Sequence, residues 1–397
     1  MNKYLKILLL ILPALLLQST ILSQPTDRNW RLYGHLQTMQ QVWVPPDVPQ
    51  WQTMTALSNR LDFRWHPGNK FSFHAGVRNN ANLGQMVFDY HPYLADFSTM
   101  DDGLIDLTRL WINDSSIFFY SSIDRVNVKF RTGNFEATVG RQRINWGINL
   151  IWTPNDIFNA YNYFDFDYVE RPGCDALLLQ YYTGYTSSLQ FGFKIDRHLY
   201  AIDSVYKVTS ALMYRFNRWG YDFQFLGGVM REDAVAGMGW AGHIKGAGFS
   251  GEASYFVNRK QLFDTTGAVV ASAELNYTFN NSLYLQGGYL YNSAGTTGPA
   301  GWGTAFMLAV DISAKNLTRA RHSLFAQASY PITPLINLSL ASIFNPNDKS
   351  GFAGPSIDLS LTTNLSLLFT AQIFWGANQT AYGDYGSLFF MRLKWSF

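Results

Sequence analysis

The chain ends in Gly386-Ser-Leu-Phe-Phe-Met-Arg-Leu-Lys-Trp-Ser-Phe397, where apolar side chains recur at every second position. Phe389, Met391, Leu393, Trp395 and Phe397 fall on one face, and Phe390, Arg392, Lys394 and Ser396 on the other. Successive side chains of a strand point to opposite sides, so a period of two specifies a β-strand with one apolar and one polar face. The pattern recurs from Arg31 onward. Leu61, Phe63 and Trp65 alternate with Arg60, Asp62 and Arg64, and Phe71, Phe73, Ala75 and Val77 with Ser72, His74 and Arg78. Val126, Val128 and Phe130 face away from Arg125, Lys129 and Arg131, and Ala271, Ala273, Leu275 and Tyr277 from Ser272, Glu274, Asn276 and Thr278. A soluble antiparallel sheet also alternates. Here the polar faces hold full charges, small residues and glycines, which suits a wet interior better than an outer surface.

Composition narrows the choice. Only 15% of the 397 residues are charged and 16% are aromatic, whereas about a quarter of a soluble chain is charged. Mean hydropathy is nonetheless only −0.07, and no run of apolar residues outside the N-terminus approaches the roughly 20 that a membrane helix needs. Much aromatic surface with half-apolar strands is the signature of a transmembrane β-barrel. Residues 1–23 read as a secretory signal peptide: Lys3 and Lys6 precede an apolar run from Ile7 to Leu17, and Ile21 and Ser23 precede a cleavage point before Gln24. Residues 24–397 then form one domain. Thirty basic residues less those two lysines balance the 28 acidic ones, which argues against nucleic acid as a partner. The lone Cys174 excludes an internal disulfide and a multi-cysteine metal site. The seven histidines include no metal-spaced pair, and there is no nucleophile elbow and no phosphate-binding glycine loop. No catalytic residue, metal or cofactor is nominated, and the chain is not expected to be an enzyme.

Short turns are expected at His66–Lys70, Thr132–Asn134, Thr183–Thr186, Asn217–Gly220, Lys245–Gly248, Asn280–Ser282, Pro331–Pro334 and Thr362–Asn364. Longer connections lie between them: about 45 residues before Arg125, 28 before Asp175 and 29 before Arg321. Leu104–Trp111 has room for part of another hairpin. Short periplasmic turns and long extracellular loops are the layout of an outer-membrane barrel. The count is about eighteen strands, with sixteen to twenty allowed, closed because lipid cannot satisfy an open sheet edge. The final Phe397 resembles the terminal residue recognised by the barrel assembly machinery of a Gram-negative outer membrane.

If the polar faces point inward, the lumen is unevenly charged. Arg60, Arg64, Arg78, Arg125, Lys129 and Arg131 lie on early strands with only Asp62 and Glu136 among them, and Arg392 and Lys394 join them on closure. Asp222, Glu252, Glu274 and Asp358 lie on later strands and form an opposing acidic arc. Facing arcs of charge select permeants, although mutual pairing in a filled interior gives the same pattern. Eighteen strands enclose more space than side chains alone fill, which favours a pore.

One stretch breaks the alternation. In Val139-Gly-Arg-Gln-Arg-Ile-Asn-Trp-Gly147, Arg141 and Arg143 fall on the face of Phe135, Ala137 and Val139. A bulge or sharp kink around Gly140–Gln142 would turn both arginines into the lumen; otherwise they snorkel at the membrane surface. The next segment carries Trp152, Asp156, Tyr161, Tyr163, Phe166, Tyr168 and Glu170. Folded inward, its aromatic faces and carboxylates would grip carbohydrate; folded outward, they would join the aromatic belt of the interface.

Gly140, Arg141 and Gln142, followed by Trp146, Gly147, Pro154 and Asp156, resemble a stretch of outer-membrane porin-like families, the alginate-export type among them. The resemblance covers about 25 residues. It implies a barrel channel whose pore arginines meet an acidic polysaccharide. The leading expectation is passive passage of small polar solutes, sugars or anionic saccharides through an outer-membrane pore. The alternative is a non-conducting barrel that serves as a scaffold in surface polysaccharide export or secretion.

Overall fold

The computed structural model describes residues 29–46, 50–160, 163–165, 173–198, 205–261, 266–301 and 312–397. The expected signal peptide lies outside them, as do Tyr161, Phe166, Tyr168 and Glu170.

The strands are β1 (Trp30–Val44), β2 (Gln52–Trp65), β3 (Phe71–Leu83), β4 (Thr108–Asp114), β5 (Ile117–Thr132), β6 (Phe135–Gln142), β7 (Cys174–Tyr182), β8 (Ser188–His198), β9 (Val205–Arg218) and β10 (Tyr221–Met230). They continue with β11 (Asp233–Ile244), β12 (Ala247–Asn258), β13 (Ala268–Thr278), β14 (Tyr284–Asn292), β15 (His322–Thr333), β16 (Ile336–Asn345), β17 (Ser350–Thr362), β18 (Leu365–Trp375) and β19 (Ser387–Ser396). All pairings are antiparallel, and β1 pairs β2 on one edge and β19 on the other, so the sheet closes. Eighteen strands make the ring, because β3 pairs β5 directly and β4 is a short extra strand on β5. The expected strand number is therefore the observed one, and each of the eight expected turns joins two ring strands at the same end of the barrel.

The connection from β3 to β5 holds more structure than its sequence suggested. Helix α1 (Gln85–Tyr90) and helix α2 (Tyr93–Ser98) precede β4, and β4 with β5 forms the hairpin for which Leu104–Trp111 had room. Helices of six residues are too short to show a helical period.

Alternation sorts the two faces. Val128, Leu212, Phe225, Leu275, Leu340 and Met391 are exposed on the outer face, and Arg60, Asp62, Gln224, Glu252 and Glu274 are buried on the inner one. At the closing seam, Gly34 and Phe397 exchange two backbone hydrogen bonds of 2.9 and 3.0 Å. A Cβ at Gly34 would run into the Arg60 carbonyl and the Phe397 ring, so glycine permits this approach.

The wall has one breach. β6 ends at Gln142 and β7 begins at Cys174, so the wall lacks their upper ends. The lower half of β5 pairs β6, but its upper half pairs β4 on that same edge. On the far side of the breach Gly103 bridges Asp196 of β8, and the Arg197 amide donates to the Asp102 carbonyl at 2.7 Å. The Arg197 guanidinium adds bonds to the carbonyls of Gly103 and Asp101 at 2.8 and 3.1 Å. Residues 101–114 thus form a panel that replaces the missing upper ends of β6 and β7.

The facing assignment gives a direct test. Leu340→Arg places a charge on the outer face and is expected to destabilise the barrel by about 2–4 kcal/mol in denaturant unfolding from lipid vesicles. Ser339→Arg, one residue away on the inner face, is expected to cost less than 1.5 kcal/mol or so; equal losses would reverse the assignment.

Candidate functional site

Arg141 sits where the panel meets the wall. The irregularity expected at Gly140–Gln142 takes the form of a positive φ of 112° at Gly140, and β6 keeps unbroken register with β7 through Gln142. Without a register shift Arg141 stays cross-strand from Asp175, on the outward parity. It reaches neither the lumen nor lipid, because the panel covers it and leaves its side chain 5% exposed. Nε and Nη2 donate to the two Asp175 carboxylate oxygens at 2.8 and 2.9 Å, and Nη1 to Asp101 Oδ2 at 2.6 Å. The Ile105 and Ile123 carbonyls accept the rest at 2.7 and 3.3 Å. All five N–H donors of a guanidinium are used. Arg141 is therefore a clamp between wall and panel rather than a pore-lining cation. Arg143, just beyond β6, is half-buried at the start of the inward segment.

From Ile144 the chain runs inside the barrel, and its irregular backbone needs partners there. Two inward-facing carboxylates supply them. Glu252 Oε1 accepts from the amides of Ile148 and Asn149, the latter at 2.6 Å, and Oε2 from Asn155 at 2.9 Å. Glu274 accepts from Leu150 at 3.0 Å, Ile151 at 2.9 Å and the Gln286 side chain at 3.0 Å. The Ser272 hydroxyl donates to the Trp152 carbonyl and accepts from Asn149 Nδ2, at 2.8 and 2.7 Å. Gln224 Nε2 donates to the Trp146 carbonyl at 2.7 Å, and Lys194 Nζ to the Phe158 carbonyl at 2.8 Å. Glu252 gathers three backbone amides of the segment and Glu274 at least two, so these side chains are its most heavily used anchors. Glu252 and Glu274 are 1% and 2% exposed. Expected as an acidic pore lining, they are instead covered by the segment they hold.

The aromatic residues are likewise occupied by packing. Trp146 meets Phe158 edge-on at 4.8 Å and Trp152 meets Phe325 at 6.3 Å. Tyr163 packs on Phe325 and Phe352, and Phe164 on Phe352, Phe374 and Tyr382, at 5.0–6.0 Å. Burial pushes the Tyr382 phenol upward and that of Tyr385 to about 12, so both keep their protons at neutral pH. Asp156 is fully buried beneath the Trp146 amide. Trp152, Asp156 and Tyr163 therefore build the core of the segment and do not offer faces or oxygens to a sugar.

The basic residues behave differently. Arg60, Arg64, Arg78, Arg125, Lys129, Arg131, Arg392 and Lys394 all occupy inward positions on β19, β2, β3 and β5, contiguous around the ring through β1. Arg31 of β1 joins them opposite Arg64. Helices α1 and α2 cover the upper end of this arc, where Val87 and Ala95 pack on Phe118 and Tyr90 lies 6.1 Å from Trp43. Below them Arg64 and Arg131 are exposed, and Lys129 is half-exposed beside Glu136 at 2.8 Å. Of the remaining acidic candidates, Asp222 is exposed near the β9–β10 turn, bonded to Asn217, and Asp358 is half-buried on β17. The lumen is thus lined by a segment-covered side from β8 to β18 and a basic side from β19 to β5.

The barrel has the fold of the OprD-type porins. The outer membrane protein OprD from Pseudomonas aeruginosa superposes with a TM-score of 0.57 at 12% identity, covering 95% of each chain. OccAB2 of Acinetobacter baumannii gives 0.59 at 10% identity over 94% of this chain and 99% of that one. OccK11 (OpdR) of Pseudomonas aeruginosa gives 0.55 at 11% identity over 92% and 95%. No protein-family model matches the sequence, and no curated protein matches it either.

Polar residues that the sequence did not mark as functional cluster where the segment docks: Gln224, Ser254, Ser272 and Lys194 are buried on inward positions. Their alternation was visible; their partners were not. The anchoring role predicts that Glu252→Ala, which strands three buried amides, destabilises the folded barrel by about 3–5 kcal/mol in denaturant titrations. Glu252→Gln retains acceptor capacity on one oxygen and should lose about half as much. A loss within error of zero for both would show that the segment is held by packing alone.

Proposed function

We propose that this protein is an outer-membrane channel that admits small solutes by passive diffusion and prefers anionic ones, acidic saccharides among them. The observation that carries this reading is the asymmetry of the lumen. Two buried carboxylates of the wall, Glu252 and Glu274, are taken up by backbone amides of the inward segment, while Arg64 and Arg131 stay exposed on the other side. A wall with one sign of exposed charge concentrates counter-ions and raises the rate at which they enter. The porin fold of the barrel, its apolar outer face and the aromatic residues at strand ends support a place in the outer membrane, in contact with lipid. Insertion through the barrel assembly machinery fits a terminal strand whose last residue completes the closing seam.

Planar bilayers under a salt gradient test the reading. The purified barrel should give discrete conductance steps and a reversal potential on the anion side. Replacing Arg64 and Arg131 together by Glu moves four units of charge at the mouth and should shift the permeability ratio toward cations by about an order of magnitude. A folded barrel that never conducts would favour a scaffold role; a conducting barrel indifferent to the double replacement would remove the basic arc from the permeation path.

A further inference from the structure

The basic arc is not equally positive along its height. At mid-wall, Arg60 and Arg125 share their space with two carboxylates. Arg60 Nε and Nη2 donate to Asp62 at 2.5 and 3.2 Å, and Nη1 to Asp124 Oδ2 at 2.6 Å. Arg125 Nη1 lies 4.0 Å from Asp124 Oδ2 and donates to the Asp124 carbonyl at 2.7 Å. His74 Nε2 lies 2.9 Å from Asp62 Oδ1. Arg60, Asp62, Asp124 and Arg125 are all buried, between 1% and 6% exposed.

A bulge produces this arrangement. Gly76 pairs Arg125 and Val77 pairs Ile123, so Asp124 is one extra residue in β5. The bulge lets two consecutive residues, Asp124 and Arg125, reach the interior, where regular alternation would allow only one. Gly76 leaves the space, since a Cβ there would stand 3.0 Å from Asp62 Oδ1 and 3.1 Å from Arg60 Nη2. Two arginines and two aspartates form a compact set whose charges cancel. A solute passing Arg60 and Arg125 meets neutralised, desolvated cations that are already bonded.

We propose that Asp62 and Asp124 are specificity-determining residues: built-in counterions that withdraw Arg60 and Arg125 from solute binding and hold anion selectivity below what the arginine count implies. This inference rests on the channel reading above. The arginines that act on a solute are then those nearer the short-turn end, Arg64 and Arg131 foremost, which this set of carboxylates does not mask.

The test is the permeability ratio in planar bilayers for the full-length barrel, with a heat-modifiable gel shift to confirm folding. One unit charge at about 8 Å in water changes an ion's local concentration about two-fold. Asp124→Asn should therefore raise the anion preference at least about two-fold. Arg60→Gln combined with Asp124→Asn removes the unmasked cation and should reverse that rise, an outcome that a purely structural aspartate would not give. Asp124→Glu, which keeps the charge, should sit nearer the parent than Asp124→Asn does. Should Asp124→Asn fail to fold, the double variant compared with Arg60→Gln alone reads the same charge. An anion-selective parent whose ratio is unmoved in Asp124→Asn overturns the counterion role and leaves the channel reading intact. A folded parent without conductance or anion preference overturns the channel reading, and this inference with it.

Discussion

Every backbone amide in a barrel wall has to find a partner within the protein, because hydrocarbon offers none. Most of this chain meets that demand through eighteen strands paired edge to edge. The exception is the place where 143–160 leaves the wall for the interior. Departure of the chain between β6 and β7 would expose an edge of β5 and an edge of β8. Residues 101–114 cover both, through β4 on one side and the Gly103–Asp196 bridge on the other. Arg141 binds the covering to the wall through Asp101 and the Ile105 carbonyl of the panel, Asp175 of β7 and the Ile123 carbonyl of β5. A guanidinium suits this position: its charge is met by two carboxylates, and its planar fork satisfies groups that approach from different directions.

The same requirement governs the interior. An irregular segment inside a barrel has amides that no strand pairs, and the wall answers with inward carboxylates. Glu252 and Glu274 each collect two or more amides, as an anion does in a nest of N–H groups. A charge that reads in sequence as a pore lining becomes a fastener once a loop lies over it. The distribution of positive charge in the lumen is thereby set by negative charges that are out of sight.

The outer half of the fold is written plainly in the sequence. Lipid demands a period of two, so Phe389, Met391, Leu393, Trp395 and Phe397 declare their strand, and pairs such as Trp219-Gly220 and Gly133-Asn134 declare the turns. The basic arc was legible for the same reason, because Arg60, Arg64, Arg78 and Lys129 keep parity with apolar neighbours. The inner half was not. Glu252 meets Asn149 across 103 residues, and no local pattern announces a contact of that range. Asp124 was hidden by the bulge that makes it matter, since one inserted residue hides the face of its own side chain. Arg141 was singled out by its broken parity, but parity cannot distinguish the lumen from a covered place within the wall.

The panel bears on how such a barrel is completed. Arg197 and Gly103 are 94 residues apart, and the strands β5, β6, β7 and β8 that frame the aperture are laid down in between. Residues 101–103 therefore have no complete seat when their own neighbours pair; it exists only once β8 stands in the wall. Contacts of such separation are slow to form. The molecule closes twice, at the β1–β19 seam where the first and last strands meet and at an internal hatch sealed by a stretch that has to wait for the wall around it.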